Sequence, residues 1–376
     1  MIRDLSDPAV GDLLARHGRY WRNGQPEPEP WLPKATFAPA IDGDPRPLFQ
    51  LSPAVSLVDT PDPHVLAPPP PLDGPAFRDH VERDFDTHGL LDGDYFRVIG
   101  TGIASEVFVG CTINVRAGTH WAENCFTDFR QLDGYRVRDT IWYRRLLDNT
   151  GRAVDSVEAE GYPFCCAAFR GPVDMVEAMM GGPAMCEAAI DDPEGLKHLL
   201  ARITDVIIEV GLAHGALLPS RAGGWFNSYR IWTPGRTITF TLDGACLFSP
   251  AHYEDLFLPF DRRLCEAFET PFVHLHAAAR QHFSAWTEIP SLGLQCVIDQ
   301  AWLPEGRNQP IGPQIPDLLD DFDCIRRRKS LMLYGYWTEE WLRAVSDHLP
   351  PSGCAITGMT ADPQALHRSL ERSAQR

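Results

Sequence analysis

Apolar positions along this chain recur first with a helical period, then in a Pro-broken stretch, then in alternating helical and extended segments. Residues 6–22 place Val10, Leu13, Leu14, Tyr20 and Trp21 at helical spacing behind Ser6 as a cap and Pro8 in the first turn, which predicts an opening helix. Fifteen of the 33 prolines fall between Pro26 and Pro75. Proline lacks the amide hydrogen that helices and sheets require, so this stretch is predicted as extended loop and short turns. Its apolar residues (Trp31, Leu32, Phe37, Leu48, Phe49, Val55, Leu57) suggest a segment packed along the body of the protein, since a free linker would be richer in Gly and Ser.

From about residue 76 the pattern becomes regular. AFRDHVERDFDTHGLL reads as a helix, FRVIGTGIASEVFVGCTINV as extended, and IWYRRLLDNTGRAVDSVEA as a second helix. Seven short apolar or β-branched runs follow: YPFCCAAF, GGWFNSY, TITFTLD, PFVHLHA, GLQCVID, SLMLYGYW and GCAITGM. Helices are predicted between most of them, beginning at Asp192–Pro193, Ser249–Pro250, Thr338 and Thr360, each a capping residue followed by Pro or acidic residues in the first turn. Eight candidate strands alternating mainly with helices predict an α/β fold with a parallel sheet, and the count favours a closed (β/α)8 TIM barrel over an open doubly wound sheet. The expected organisation is an N-terminal helix and Pro-rich segment over 1–75, packed on a barrel over 76–376. The Gly100–Gly102 pair lacks the continuation of a dinucleotide-binding turn, so no phosphate is assigned to it.

Composition narrows the function classes. The 34 basic and 51 acidic residues give a net charge of −17, which argues against a nucleic-acid or anionic-membrane surface. No apolar run approaches the roughly 18–20 residues needed to cross a bilayer, and the N-terminus lacks the uninterrupted apolar core of a signal peptide. The ten cysteines are scattered, without a CxxC pair, and read as buried thiols of a cytoplasmic protein.

Candidate chemistry gathers in the second half. His274 and His276 sit two apart on a predicted strand, so their side chains share a face, and at the strand end both would project into the mouth where active sites of such barrels lie. Asp299 ends the next strand and Cys354 lies on the last, so His274, His276, Asp299 and Cys354 could surround one ion. Imidazole, carboxylate and thiolate are all zinc ligands, and an N/O-rich set would also take iron, nickel or cobalt. A hydrogen-bonded histidine pair is the competing reading, and Cys354 could equally be a packed thiol. Asp243 ends a strand before a loop and is a candidate general acid/base or cation-orienting group, or a cap of the next turn. Trp225, Tyr229 and Arg230 after a Gly-Gly turn, with Trp302, Tyr334 and Tyr336 after later strands, are candidate pocket-lining residues, or core. The acidic DLLDDFDC at 317–324 reads as a solvated helix face.

The stretch from Gly182 to about Asp299 resembles the uroporphyrinogen decarboxylase superfamily, in AIDDPEGLKHLLARITDVI, TLDGACLFSPAHYEDLFLPFDRRLCEAF and PFVHLHAAARQHFSAWTEIPSLGLQCVID. That superfamily includes corrinoid- and thiol-linked methyltransferases, which use a His–x–Cys pair, in some members a carboxylate on the next strand, and a late Cys. His274, Asp299 and Cys354 fall at similar places, and His276 stands where the Cys would be. The N-terminal arginine-bearing segment that grips porphyrinogen carboxylates has no match here beyond RHGRYW, which disfavours a porphyrinogen substrate. The resemblance implies methyl or small-group transfer, metal-assisted, between a small molecule and a thiol, folate or corrinoid carrier, with a corrinoid carrier protein among the implied partners. A metal-independent decarboxylase-type lyase and a non-catalytic ligand-binding barrel are the alternatives, and a homodimer stays open.

Overall fold

The computed structural model describes residues 7–21, 37–39, 64–92, 95–116, 119–298, 313–349 and 354–360. Seven short strands form one sheet: β1 (Phe37–Pro39), β2 (Ala168–Arg170), β3 (Thr239–Thr241), β4 (Phe272–His276), β5 (Gly293–Val297), β6 (Leu331–Tyr336) and β7 (Cys354–Thr360). Their order is β1-β7-β6-β5-β4-β3-β2 and every pairing is parallel.

Because side chains alternate across a strand, the register sorts the sheet into two faces. Phe169, Phe240, Val273, Leu275, Leu294, Cys296, Leu331 and Leu333 belong to the main hydrophobic core together with the apolar stripes of the helices. The other face carries Arg170, Thr241, His274, Gln295, Met332 and Ala355 in one row across six strands. It is the polar side of the sheet, and Phe272 and Met332 form a separate small cluster there with Tyr95 and Ile231.

The helices in chain order are α1 (Pro8–Trp21), α2 (Gly74–His88), α3 (Ile141–Val157), α4 (Pro172–Met180), α5 (Gly182–Asp191), α6 (Pro193–Leu217), α7 (Pro250–Leu256), α8 (Leu258–Glu266), α9 (Phe283–Thr287), α10 (Ile315–Arg326) and α11 (Glu339–His348). Their starts follow from side-chain chemistry. Asp73, Thr140, Asp192, Ser249 and Thr338 each accept a hydrogen bond from a first-turn amide, an interaction worth about 1 kcal/mol per cap. α1 closes the N-terminal end of the sheet: the Trp21 indole donates to the Trp232 carbonyl, and Ser330, just before β6, donates to the Tyr20 carbonyl. No helix among the described residues is long and apolar enough to cross a membrane.

Several sequence expectations change here. GGWFNSY is not a strand of the parallel sheet: Trp225–Phe226 turns back on Trp232–Thr233 as an antiparallel ribbon. Thr239–Thr241 instead pairs directly with Ala168–Arg170, and Phe37–Pro39, inside the Pro-rich stretch, pairs with β7 at the other edge, so part of the 1–75 segment is built into the sheet rather than laid on it. Proline is tolerated there because β1 is an edge strand. The extended reading of 96–115 is interrupted by a 3-10 turn, Ser105–Val109, that ends on Gly110 in a left-handed conformation (φ 93°). The rest of the Pro-rich stretch up to Pro63 and the helix expected after Thr360 lie outside the described residues. The alternating parallel α/β architecture is present. Among the described residues the sheet has two edges, β1 and β2, and closure into an eight-strand barrel stays an expectation.

One buried carboxyl in the helical layer ties stability to pH. Asp261 of α8 is fully buried and accepts a hydrogen bond from the Tyr253 hydroxyl of α7 at 2.5 Å. Burial pushes its pKa up to about 7, offset in part by that hydrogen bond. An unfolded Asp titrates near ~3.9, so the folded state holds a proton that the unfolded state has lost. This stabilisation is complete below the unfolded value and is lost as pH rises through about 7. Asp261→Asn is therefore expected to gain on the wild type as pH rises. Calorimetric melting between about pH 5 and about pH 8 checks this, and a Tm difference that stays constant across that window would contradict the assignment.

Candidate metal centre

The site is assembled by a buried acid that belongs to neither strand nor mouth. Asp174, in the first turn of α4, is fully buried. It accepts from the Thr241 hydroxyl at the end of β3, from the Asp243 amide at 3.0 Å and from the Gly244 amide at 2.8 Å. These bonds fold the chain sharply after β3 into the turn Asp243–Leu247. The turn passes close to both acids at Gly244, where a Cβ would lie 2.9 Å from Glu177 Oε2 and 3.4 Å from Asp174 Oδ1. On the other side of the turn, His282 Nε2 donates to the Ala245 carbonyl at 2.9 Å. Burial lowers the His282 pKa, so the ring is held neutral and keeps a single N–H, aimed at that carbonyl.

The turn delivers Asp243 to the two imidazoles of β4. Asp243 Oδ1 lies 3.6 Å from His274 Nε2 and 3.6 Å from His276 Nε2, and one ligand atom from each residue falls within 4.8 Å of the others. Two donors bound tetrahedrally at about 2.0–2.1 Å from one ion are about 3.3 Å apart, so the observed spacing is close to that of a three-donor metal site. Side-chain exposure grades outward, from 10% at His274 through 35% at His276 to 46% at Asp243.

The far side of His274 is equally determined. Its Nδ1 lies 2.5 Å from Gln295 Oε1 on β5 and 2.8 Å from the Tyr229 hydroxyl. An amide oxygen can only accept, so Nδ1 carries a ring proton, and in the neutral ring Nε2 then presents its lone pair toward Asp243 and His276. Tyr229 is half-buried, with its ring parallel to His274. Burial first, then the charge of Asp243, hold its phenol well above the usual pKa, so it stays protonated.

Around this core the charge is mostly acidic. Burial and the neighbouring Asp243 push the Asp174 carboxyl up to about 6, against the pull of its three hydrogen bonds. Glu177 is raised by burial and by Asp174. Arg170, at the end of β2, donates to buried Glu106 at 2.7 Å. Burial works against its cation, while Glu106, Asp174 and Asp243 hold it protonated.

Of the residues singled out from sequence, the structure brings together Asp243, His274 and His276, with Tyr229 behind them. Among the described residues the carboxylate meeting both histidines is Asp243; Asp299 and Trp302 lie outside them. Cys354 is not brought to the site: it pairs with Leu331 at the start of β6, one residue before the interior position Ala355, and packs with the helix-side core. Burial pushes its thiol up to about 12, as expected of a packed cysteine. Trp225 sits at the opposite end of the strands, its ring 6.0 Å from the Arg236 guanidinium, whose backbone amide donates to Glu269 before β4. Arg230, in a left-handed conformation (φ 66°), lies over the Tyr95 ring at 6.0 Å. Tyr334 is on the interior face in the same row as His276 and Val297, near enough to Tyr229 to raise its pKa. Tyr336 is placed only by its backbone in β6. Sequence reasoning passed over Gln295 and Asp174. Each had a signal: a polar residue inside an apolar run, GLQCVI and GPVDMV, that had to find a partner if buried.

The tautomer assignment is testable directly. In the wild type, ¹H–¹⁵N long-range spectra are expected to show His274 protonated at Nδ1 alone. Gln295→Leu removes the acceptor at similar volume and should move the ring toward a tautomer mixture; an unchanged His274 pattern in the variant would show that Gln295 does not set it.

No family model and no curated protein matches the chain. Among solved structures, the chain is similar to a methyltransferase from Methanosarcina mazei, with a TM-score of 0.57 at 12% sequence identity over 96% of this chain and 98% of that one. At that identity the likeness establishes a shared fold along nearly the whole length.

Proposed function

We propose that the chain is a metal-dependent methyl or small-group transferase of the uroporphyrinogen decarboxylase-like kind, with Asp243, His274 and His276 holding one divalent transition metal, zinc in the first instance. The observation that carries this reading is the shared spacing of two imidazole nitrogens from one carboxylate oxygen, 3.6 Å each. The likeness of fold to a methyltransferase supports the class of reaction. The same reading takes the sheet as closed into an eight-strand barrel, with Asp299, which follows β5 in sequence, as a further donor or as hydrogen-bonding support.

When bound, the ion supplies Lewis acidity, lowering the pKa of a thiol acceptor or polarising a leaving group. Each side chain has a defined part. Gln295 fixes the His274 tautomer so that Nε2 is the donor, the outer-shell support that metal-bound histidines generally have. Asp174 holds the turn that sets the position of Asp243. Three protein donors leave a fourth position for an acceptor, and the methyl group comes from a small molecule or from a folate or corrinoid carrier. Lying in the same interior row as His276, Tyr334 is placed to line the substrate pocket, as is Tyr229 beside His274.

Protein purified without an affinity tag is expected to carry about one equivalent of metal per chain by elemental analysis. Asp243→Asn and His276→Ala should each weaken metal retention by more than the about 10–100-fold typical of losing an outer-shell partner, with far-UV circular dichroism unchanged. Cobalt substitution should give the visible bands of a tetrahedral N/O site in the wild type and not in either variant. A wild-type protein that neither retains nor takes up zinc or cobalt removes this reading. Decarboxylase-type activity persisting in that protein would put the metal-independent lyase in its place, and ligand binding without turnover would put the binding barrel there.

A further inference from the structure

A second pair of reactive groups lies away from the histidines. Cys111 follows the turn Ser105–Val109, and Cys125 follows the antiparallel hairpin Ile113–Arg116/Thr119–Ala122. None of the ten cysteines is in a disulfide, yet Cys111 Sγ and Cys125 Sγ lie 3.2 Å apart. The hairpin forces this approach. Ile113 is opposite Ala122, and the Glu123 amide donates to the Thr112 carbonyl at 2.8 Å, so the two chain segments are still adjacent where the cysteines stand. Both segments are anchored: the Cys111 amide donates to the Glu106 carbonyl at 3.1 Å, and the Cys125 amide to the Met179 carbonyl at 2.8 Å.

The two thiols are unequal. Cys111 is buried, at 5% exposure, whereas Cys125 is half-buried and open to solvent on one side. Hydrogen bonding between them favours the proton on Cys111 and the thiolate on Cys125, which also takes a favourable contribution from Gln131. Access and thiolate character therefore coincide on one sulfur, the arrangement in which thiol–disulfide exchange begins.

We propose that Cys111 and Cys125 form a reversible thiol-oxidation site, with Cys125 as the attacking sulfur and Cys111 as the resolving one. The oxidant is a small disulfide such as oxidised glutathione. The Cys125 thiolate attacks one glutathione sulfur, forming a mixed disulfide and releasing one glutathione thiolate. Cys111 then attacks Cys125 Sγ, forming the intramolecular disulfide and releasing the second. Two protein thiols lose two electrons, one glutathione disulfide gains them, and the protons from the two protein thiols end on the two glutathione molecules released. The new bond staples the base of the hairpin to the turn that carries Glu106, the partner of Arg170 on β2.

The test uses the full-length chain and does not depend on the metal or on any activity. Arg116 lies between the two cysteines, so trypsin separates 98–116 from 117–130, each with one cysteine. After treatment with oxidised glutathione, mass spectrometry of the wild type should show these two peptides joined, and the link should vanish on reduction. Cys111→Ser should stop at a glutathione adduct on Cys125, whereas Cys125→Ser should leave Cys111 unmodified in the folded protein. Unlinked peptides in the oxidised wild type, a persistent adduct on wild-type Cys125, or equal modification of Cys111 in Cys125→Ser would each overturn the proposal.

Discussion

Everything at the candidate site depends on the register of the parallel sheet. A strand has two faces, and a shift of one residue would move every side chain of β4 to the other side. In the observed register Val273 and Leu275 lie in the helix-side core, and His274 and His276 are left together on the interior face. The apolar residues enforce the arrangement: burying two imidazoles among the helices without partners would cost several kcal/mol, and exposing Val273 and Leu275 would cost about as much again. The same register aligns Gln295 with His274 and Thr241 with His274 from the opposite side. The ring is thus supported by both neighbouring strands.

The second constraint is electrostatic. Asp174, Glu177, Asp243 and Glu106 converge on a region where Arg170 is engaged mainly by Glu106. Burial disfavours the ionised forms of Asp174 and Glu177, and that is why the Asp174 carboxyl is pushed up to about 6 in spite of three hydrogen bonds. An acidic rim of this kind is compatible with a dication and unfavourable for a polycarboxylated substrate. Chemistry and charge here point the same way as the donor geometry.

Some of this was readable from the residues in order. Asp192, Ser249 and Thr338 cap helices where a capping residue followed by Pro or acidic residues predicted their starts. Six of the predicted strands, YPFCCAAF, TITFTLD, PFVHLHA, GLQCVID, SLMLYGYW and GCAITGM, overlap strands of the sheet, because each is a short apolar run. GGWFNSY misled for a physical reason. Its aromatic residues satisfy a strand pattern, but Trp225–Phe226 finds a nearer partner in Trp232–Thr233 than any strand of the sheet. Phe37–Pro39 was hidden by its prolines, which an edge strand accepts.

Sequence by itself determined the pairing of His274 with His276, since a period of two admits no other outcome once the segment is a strand. It also determined the alternating α/β class, because the apolar periods are local properties. That Asp243 meets the histidines was a tertiary decision. Asp243 is 31 positions from His274, and nothing local marks it as their partner. Its place comes from Asp174, a residue of another helix that draws the Asp243 and Gly244 amides inward. Cys354 was excluded from the site in the same way, by one residue of register that turned its sulfur toward the helices. Hydrophobic periodicity is written along the chain, but the closure of a polar site depends on hydrogen bonds between segments far apart in it, and only the folded register brings those together.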